Sequence, residues 1–341
     1  MIKSRFSAVA MVIIFAIAAL VLAEDQSNYK VVRVMTIGGE GRWDYVTVDP
    51  ATKLVYLSRQ THTQVIRETG ELVGDIADTA GVHGVALVPE LNRGFTSNGR
   101  ANSVSVFDLK TLHVLGTVAT GNNPDCIIYD PASKTVIAFN GRGQSATVID
   151  AAADPSTNAK STIPLDGKPE FAASDEQGHV YVNIEDKSEV QVIDTKTMKV
   201  SETWKIEGGT EPSGLAIDPA NRHLFAGCHN QVMAIIDVSN GKTVATVPIG
   251  SGVDACAFDP GTGEAFASCG DGTVTVVKEI DGKFQSTQTI KTRRGARTMG
   301  LDPTTHTLFL PTNISADENA PPTTRPSGIF SIVVVAPQTP G

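Results

Sequence analysis

The stretch that decides the fold runs from Gly178 to Val200 and reads GHVYVNIEDKSEVQVIDTKTMKV. Two runs in it are rich in β-branched and aromatic residues, and a polar break at 185–188 separates them, which predicts two strands joined by a turn. Residues 94–114 repeat this pattern, with the turn at Asn98-Gly99. The same unit of strand, turn and strand therefore occurs more than once.

The repeat extends along nearly the whole chain with a regular period. Each unit carries a turn signal after its first strand, and an Asp-Pro pair suits such a turn because proline presets φ and aspartate caps exposed amides. The seven anchors are Asp49-Pro50, Val88-Pro89, Asp130-Pro131, Asp175-Glu176, Asp218-Pro219, Asp259-Pro260 and Asp302-Pro303. Successive anchors are 39 to 45 residues apart, which is the period of a four-stranded propeller blade.

The two ends of the repeat region complement each other. The seventh unit lacks a fourth strand, whereas residues 29–37 form a strand with no unit of their own. We therefore predict one all-β domain over residues 29–337, a seven-bladed β-propeller of four-stranded blades whose last blade is closed by the N-terminal strand. A proline-rich insert occupies 315–327, and residues 338–341 form a tail.

The N-terminus has the layout of a secretory signal. Lys3 and Arg5 precede an apolar run over residues 8–22 that ends in small residues at Ala23. We expect a signal peptide over 1–23, a short linker over 24–28, and a periplasmic or secreted protein with no membrane span after cleavage. A single membrane anchor is the alternative, but the run is shorter than the roughly 20 residues that a span needs.

The net charge and the cysteine spacing argue against several classes of function. Removal of Lys3 and Arg5 changes the formal net charge from -9 to -11, and no basic cluster is present, so nucleic acid is not an expected partner. The four cysteines lack any close metal or haem spacing and predict either a disulfide or buried free thiols. We expect a monomer.

A family resemblance supports the same fold. The Val-Tyr-Val-Asn and Val-Gln-Val-Ile-Asp-Thr-Lys-Thr runs within 180–197, and their WD40-like copies along the mature chain, resemble the YVTN repeat of YncE-like β-propeller proteins. The resemblance implies an exported seven-bladed propeller that acts as a binding or surface protein. Propellers of similar shape also include lactonases and redox enzymes. Val88 and Glu176 depart from the Asp-Pro pattern, so the blades are not interchangeable.

The loops that enter the first strands predict a polar ring at the mouth of the central channel. The position five residues before each anchor selects its members, which are Asp44, His83, Asp125, Glu170, Ser213, Asp254 and Arg297. A ring with net negative charge is a candidate site for a cation or a polar ligand. Solvated side chains and ion pairs between blades are the alternative.

The ring could hold a metal, although no motif requires a cofactor. The carboxylates of Asp44, Asp125, Glu170 and Asp254 suit Ca²⁺ or Mg²⁺, and His83 would admit Zn²⁺. A second, outer ring comes from the loops after the second strands and includes Arg59, Arg100 and Arg142. Arg100 and Arg142 occupy matching places in neighbouring blades, where guanidinium groups hold carboxylates or phosphates.

Three functional hypotheses follow. The first is a non-catalytic binding scaffold whose loop face takes a protein, a glycan or a small ligand, since hydrolase, nucleotide, zincin and cytochrome motifs are all missing. The second is a metal-dependent hydrolase of the lactonase kind, with His83 as proton relay and Arg297 stabilising the oxyanion. The third is an auxiliary subunit of a redox system.

Overall fold

The structure is a computed structural model that describes residues 28–156, 159–314 and 328–338. The expected signal peptide at 1–23, the linker except for Asn28, the insert at 315–327 and the tail beyond Gln338 lie outside the described residues. The described part contains 28 β-strands and two short 3₁₀ turns, at Pro89–Leu91 and Glu185–Lys187. No α-helix occurs within these ranges.

The strands form seven antiparallel sheets of four strands each, so the predicted seven-bladed propeller is confirmed. The following strands make up the first three blades. Blade 1 has β2 (Val46–Asp49), β3 (Leu54–Ser58), β4 (Thr63–Arg67) and β5 (Leu72–Ile76). Blade 2 has β6 (Val82–Val88), β7 (Arg93–Asn98), β8 (Ser103–Asp108) and β9 (Val114–Ala119). Blade 3 has β10 (Pro124–Asp130), β11 (Thr135–Asn140), β12 (Ser145–Asp150) and β13 (Ser161–Pro164).

The other four blades continue in chain order. Blade 4 has β14 (Pro169–Ser174), β15 (His179–Ile184), β16 (Glu189–Asp194) and β17 (Lys199–Lys205). Blade 5 has β18 (Pro212–Asp218), β19 (His223–Cys228), β20 (Val232–Asp237) and β21 (Lys242–Pro248). Blade 6 has β22 (Val253–Asp259), β23 (Glu264–Cys269), β24 (Thr273–Ile280) and β25 (Lys283–Lys291). Blade 7 has β26 (Gly300–Asp302), β27 (Thr307–Ile314), β28 (Ile329–Pro337) and β1 (Tyr29–Thr36).

Blade 7 closes the ring as the sequence predicts. Its strand order is β1, β28, β27 and β26, so the N-terminal strand is the outermost strand of the last blade. The strand pairs antiparallel with β28 from Tyr29 opposite Pro337 to Thr36 opposite Ser331. The first and last parts of the described chain therefore share one sheet, which joins the two ends of the ring.

The anchors form the predicted turns between the first two strands of the blades. The carboxylate of Asp49 accepts hydrogen bonds from the backbone N–H groups of Ala51 and Thr52, and Asp218 bonds Ala220 in the same way. These aspartates are buried, with Asp49 only 6% and Asp218 only 5% exposed. The anchor aspartates therefore satisfy the amides of the turn while lying between sheets.

The apolar core is divided among the blade contacts rather than gathered in one centre. Seven clusters of buried side chains occur, and each lies between two neighbouring blades. The cluster between blades 7 and 1, for example, joins Phe309 and Phe330 to Val55 and Ile66. Every blade thus depends on both neighbours for part of its buried apolar surface.

A carboxyl pair at the contact of blades 7 and 1 makes stability depend on pH. Burial, together with a hydrogen bond to Asp302, raises the pKa of Glu68 to about 7. Burial also opposes ionisation of Asp302, but hydrogen bonds from Lys53 and Thr304 outweigh it and hold the pKa of Asp302 well below its usual range. Glu68 is therefore the member of the pair that keeps its proton.

We expect Glu68→Gln to stabilise the protein at pH 8 by about 1 kcal/mol and to have little effect at pH 5. The folded-state pKa of Glu68 lies above its unfolded value, so the stability that its proton contributes is complete below pH 4.5 and is lost as pH rises through 7. Urea unfolding at both pH values tests this. The exposed Glu71→Gln serves as control, and an equal gain at pH 5 and pH 8 would contradict the prediction.

Candidate functional site

A local irregularity of the sheet positions the ring residues. In blades 2 to 6 the pairing of the first two strands shifts register at the entry to the first strand. The side chains at these shifts are His83, Asp125, Glu170, Ser213 and Asp254. Bulges of this kind redirect a side chain away from the sheet face. Asp44 and Arg297 lie shortly before the first strands of blades 1 and 7.

Three ring residues on consecutive blades come together. His83 Nδ1 lies 2.6 Å from Asp44 Oδ2 and 3.5 Å from Asp125 Oδ1. One ligand-type atom from each residue lies within 4.8 Å of the others. The side chains are partly accessible, with 27% of Asp44, 27% of His83 and 18% of Asp125 exposed, so the group faces the mouth of the channel. We call these three residues the triad.

On blade 4 the ring carboxylate is paired with a lysine that the ring pattern does not predict. Lys168 Nζ lies 2.5 Å from Glu170 Oε1 and also contacts Glu185. His229 on blade 5 approaches the same Glu185, with its Nδ1 4.0 Å from Oε1. Lys168 therefore neutralises part of the charge of Glu170. Lys168 lies two residues before Glu170 in the chain, but a search for carboxylates alone does not find it.

On blades 5 to 7 the remaining ring members form a third group. Arg297 Nε lies 3.1 Å from Asp254 Oδ2. Ser213 Oγ donates a hydrogen bond to the backbone oxygen of Asp254 at 3.2 Å and lies 3.3 Å from its Oδ1. The structure thus brings the seven predicted ring residues to one mouth but divides them among three separate contacts.

Burial raises the pKa of three ring carboxyls. It raises the pKa of Asp125 to about 7, against the lowering effect of the neighbouring imidazole. It raises the pKa of Glu170 to about 8, with a further contribution from the charge of Asp125 and an opposing one from Lys168. The pKa of Asp254 is also raised by burial, although Arg297 opposes it. Each of these three carboxyls therefore ionises less readily than an exposed carboxyl.

The pKa of the triad imidazole is also raised, but by neighbouring negative charges and not by burial. Burial alone would lower the pKa of His83, but the hydrogen bond with Asp44 and the charges of Asp125 and Asp44 raise it to about 9. His83 is thus protonated at neutral pH and Nδ1 donates to Asp44. In this arrangement the imidazole acts as a charge partner for the two carboxylates.

An aromatic stack closes the channel below the ring. Tyr45 precedes β2 of blade 1 and Phe171 lies in β14 of blade 4, yet their ring centroids are 4.4 Å apart at 29°. Blades 1 and 4 are not neighbours, so the two rings meet across the axis. Tyr45 also packs against the cluster between blades 3 and 4. The mouth is therefore a blind cup with a floor of Tyr45 and Phe171, which is open on the loop face.

The loops after the second strands of blades 2 and 3 carry an exposed arginine each and a glycine beside the ring. Arg100 and Arg142 are exposed in matching loops of blades 2 and 3, as expected. Beside them, the Cα of Gly99 approaches His83 so closely that an added Cβ would lie 2.6 Å from Nε2. A Cβ at Gly141 would meet its nearest neighbour at 3.6 Å. The loop of blade 2 therefore packs against the Nε2 side of His83, and only a glycine fits at residue 99 without a shift of the imidazole.

The structure corrects the placement of Arg59, which was expected in the outer ring. Its side chain is fully buried, and its guanidinium lies 3.6 Å from the ring centroid of Phe330. Arg59 donates to the backbone oxygens of Gly38, Gly39 and Gly41, so it belongs to the closure of the ring and not to a ligand-binding loop.

The four cysteines and Trp43 lie in packed positions. All four cysteines are free and buried, so the alternative of free thiols describes this structure. Burial raises the pKa of the Cys228 and Cys269 thiols to about 12. Trp43 packs against Phe330, with ring centroids 5.8 Å apart. In the part of the chain that the structure describes, no helix has the length and apolar character needed to cross a membrane.

Comparison with known proteins establishes the class and no more. No protein-family model matches the sequence, and a search of curated proteins finds no relative. Among solved structures, a chain from a crystal structure of the mitotic checkpoint complex is similar, with a TM-score of 0.75 and 14% sequence identity over 98% of this chain and 99% of that chain. The likeness supports the fold, and the protein is a seven-bladed β-propeller.

Proposed function

We propose that the protein is an exported binding propeller whose cup at the channel mouth takes up a positively charged group of its ligand. The single observation that carries the proposal is the crowding of carboxyl groups in the cup. Among the described residues, Asp44, Asp125, Glu170, Glu185 and Asp254 face Lys168, Arg297, the protonated imidazole of His83 and the imidazole of His229. Despite these neighbours, the pKa values of Asp125, Glu170 and Asp254 are raised by burial, so the cup does not fully stabilise their ionised forms. A ligand cation would stabilise the ionised carboxylates and would be bound in return.

The shape of the cup supports a role in binding. Its floor of Tyr45 and Phe171 closes the channel, so a ligand enters and leaves through the loop face. The similar propeller comes from the mitotic checkpoint complex, so that chain is found in an assembly. A side chain with an ammonium or guanidinium group, on a protein partner or a small molecule, has the charge and the length to reach the ring. Export and the resemblance to YVTN-repeat proteins form part of the same proposal.

The test compares a charged probe with its neutral form. A glycine-flanked lysine peptide should raise the melting temperature and bind by calorimetry, and the same peptide with an acetylated lysine should not, because acetylation removes the charge. A free alkylammonium ion tells whether a small molecule suffices. Asp125→Asn should weaken binding at least about tenfold, which is about 1.4 kcal/mol.

The control must separate the cup from the overall acidic charge. Asp281→Asn removes the same charge at an exposed turn between β24 and β25, away from the ring, and should leave the affinity unchanged. Equal binding of the acetylated and free peptides would refute the proposal. So would equal loss of affinity in the Asp125 and Asp281 variants.

A second candidate function is the metal-dependent hydrolase of the lactonase kind, and the convergence of the triad favours it. A cation held there would polarise a lactone carbonyl. Arg297 lies on the opposite side of the ring with its Nε against Asp254, so its part would be to bind the ligand from that side. Lactone hydrolysis that depends on added metal and is lost in Asp44→Asn would establish this activity.

A further inference from the structure

The triad offers three donor atoms that converge from three consecutive blades. Asp44 comes from the entry to blade 1, His83 from blade 2 and Asp125 from blade 3. The two contacts of His83 Nδ1, at 2.6 Å to Asp44 Oδ2 and 3.5 Å to Asp125 Oδ1, place all three atoms on one side of the cup. Because each strand is held by its own sheet, these positions are set by the fold.

The spacing suits a metal ion. A transition metal with bonds of about 2.0 to 2.2 Å places neighbouring ligand atoms about 3.0 to 3.5 Å apart. The distance to Asp44 Oδ2 lies below this range and the distance to Asp125 Oδ1 at its upper end, so shifts of a few tenths of an ångström would bring the donors into coordination. The triad side chains are 18 to 27% exposed, so the remaining positions of such an ion would be reached from the loop face.

The kinds of donor narrow the choice of metal. Metal binding would release the proton of His83 Nδ1 to solvent, since only the neutral imidazole is a ligand. The deprotonated imidazole nitrogen with two carboxylate oxygens is a set that Zn²⁺ and other divalent transition metals accept. Ca²⁺ prefers six to eight oxygen ligands and is disfavoured by this set. The second ring nitrogen of His83 lies beside Gly99, 2.6 Å from the point that a Cβ at residue 99 would occupy.

The other predicted ligands have different neighbours. Glu170 lies against Lys168 and Asp254 against Arg297, and these positive charges repel a cation. At the same ring position, Ser213 and Arg297 supply no carboxylate or imidazole. Within the described ranges, the half of the ring on blades 1 to 3 is therefore the one that combines three ligand-type side chains without an ion pair to lysine or arginine.

We infer that Asp44, His83 and Asp125 form a binding site for one divalent transition-metal ion, with Zn²⁺ as the expected ion. The inference rests on the proposed function, because the ion would occupy one side of the same acidic cup that is proposed to take up a cationic group. The open positions of the ion would then be available to an oxygen or nitrogen atom of a ligand that enters from the loop face.

The test measures metal uptake directly. After EDTA treatment and dialysis, the mature protein should take up about one Zn²⁺ per chain by calorimetry, confirmed by elemental analysis, and its melting temperature should rise. Co²⁺ at the same site should give visible absorption that Zn²⁺ abolishes. His83→Gln and Asp125→Asn should each weaken Zn²⁺ binding at least about 100-fold, whereas Asp281→Asn, at the exposed turn between β24 and β25, should change it less than about threefold.

The possible results separate this inference from the proposed function. Absence of stoichiometric Zn²⁺ binding, or equal affinity in the His83 variant, overturns the metal site. If the lysine peptide still binds in that case, the cationic cup stands without the metal. If neither Zn²⁺ nor the peptide binds, both proposals fall. Far-UV circular dichroism and melting curves in EDTA show whether each variant is folded, and Asp44→Asn provides a further variant if His83→Gln does not fold.

Discussion

Replacement of Arg59 by methionine is expected to lower the free energy of unfolding by about 3 to 5 kcal/mol. Arg59 is fully buried, and burial lowers the pKa of its guanidinium to about 10, which still leaves it charged at neutral pH. Its hydrogen-bond partners are neutral groups: the backbone oxygens of Gly38, Gly39 and Gly41 and the side-chain oxygen of Gln64. Methionine would leave these oxygens buried without a donor.

A second contribution comes from Phe330 on β28. The guanidinium carbon lies 3.6 Å from the centroid of this ring, and such a desolvated cation and ring contribute about 2 kcal/mol. Arg59 thereby joins blade 1 to the chain that follows β1 and to the strand that pairs with β1. Lysine would restore the charge but not the several directed N–H groups, so Arg59→Lys should recover only part of the loss.

Chemical unfolding with urea measures both effects. Arg67→Met is the matched control, because Arg67 is also in blade 1 but 53% of its side chain is exposed and its ion pair with Glu71 spans 3.4 Å. This variant should change the free energy by less than about 0.5 kcal/mol. An Arg59→Met protein as stable as the Arg67→Met protein would show that the buried guanidinium is not part of the closure.

The fold was predictable because its signals are local and repeated. Each anchor turn specifies one hairpin, five of the seven anchors are Asp-Pro, and seven repeats spaced 39 to 45 residues apart predict a closed ring of blades. The ring positions were found for the same reason, since each sits at an equivalent place before the anchor. The closing strand was predicted because the seventh unit had only three strands and the strand at residues 29–37 had no unit of its own.

The details of the site depend on contacts between distant blades, which no local pattern encodes. The repeat spacing predicted that Arg59 lies in an outer loop, but Phe330 and the glycines after β1 bury its side chain. Tyr45 and Phe171 lie one position after the ring residues, and their stacking becomes visible only when blades 1 and 4 face each other. A signal was present, since Gly84 and Gly214 hold the same position in other blades and only two of the seven positions carry large rings.

Removal of β1 is expected to cost about 5 kcal/mol and at least about 10 °C in melting temperature. Two side chains of the strand are buried, Tyr29 at 1% and Met35 at 8% exposed. Tyr29 also packs against Phe266 of blade 6 with ring centroids 5.1 Å apart, and its backbone exchanges two hydrogen bonds with Gln288. The strand therefore stabilises blades 6 and 7 together.

A chain of residues 38–341 should show this loss relative to a chain of residues 28–341, which keeps β1. Without β1, β28 becomes an exposed edge strand, so the shorter chain should also aggregate on heating. A synthetic peptide of residues 29–37 should restore the melting temperature in a concentration-dependent way, because it binds only the folded ring. Identical melting of the two chains would mean that the contacts between the blades hold the ring closed without the N-terminal strand. Recovery by the peptide, in contrast, would show that closure is a binding reaction between the two ends of the propeller, which the covalent chain makes intramolecular.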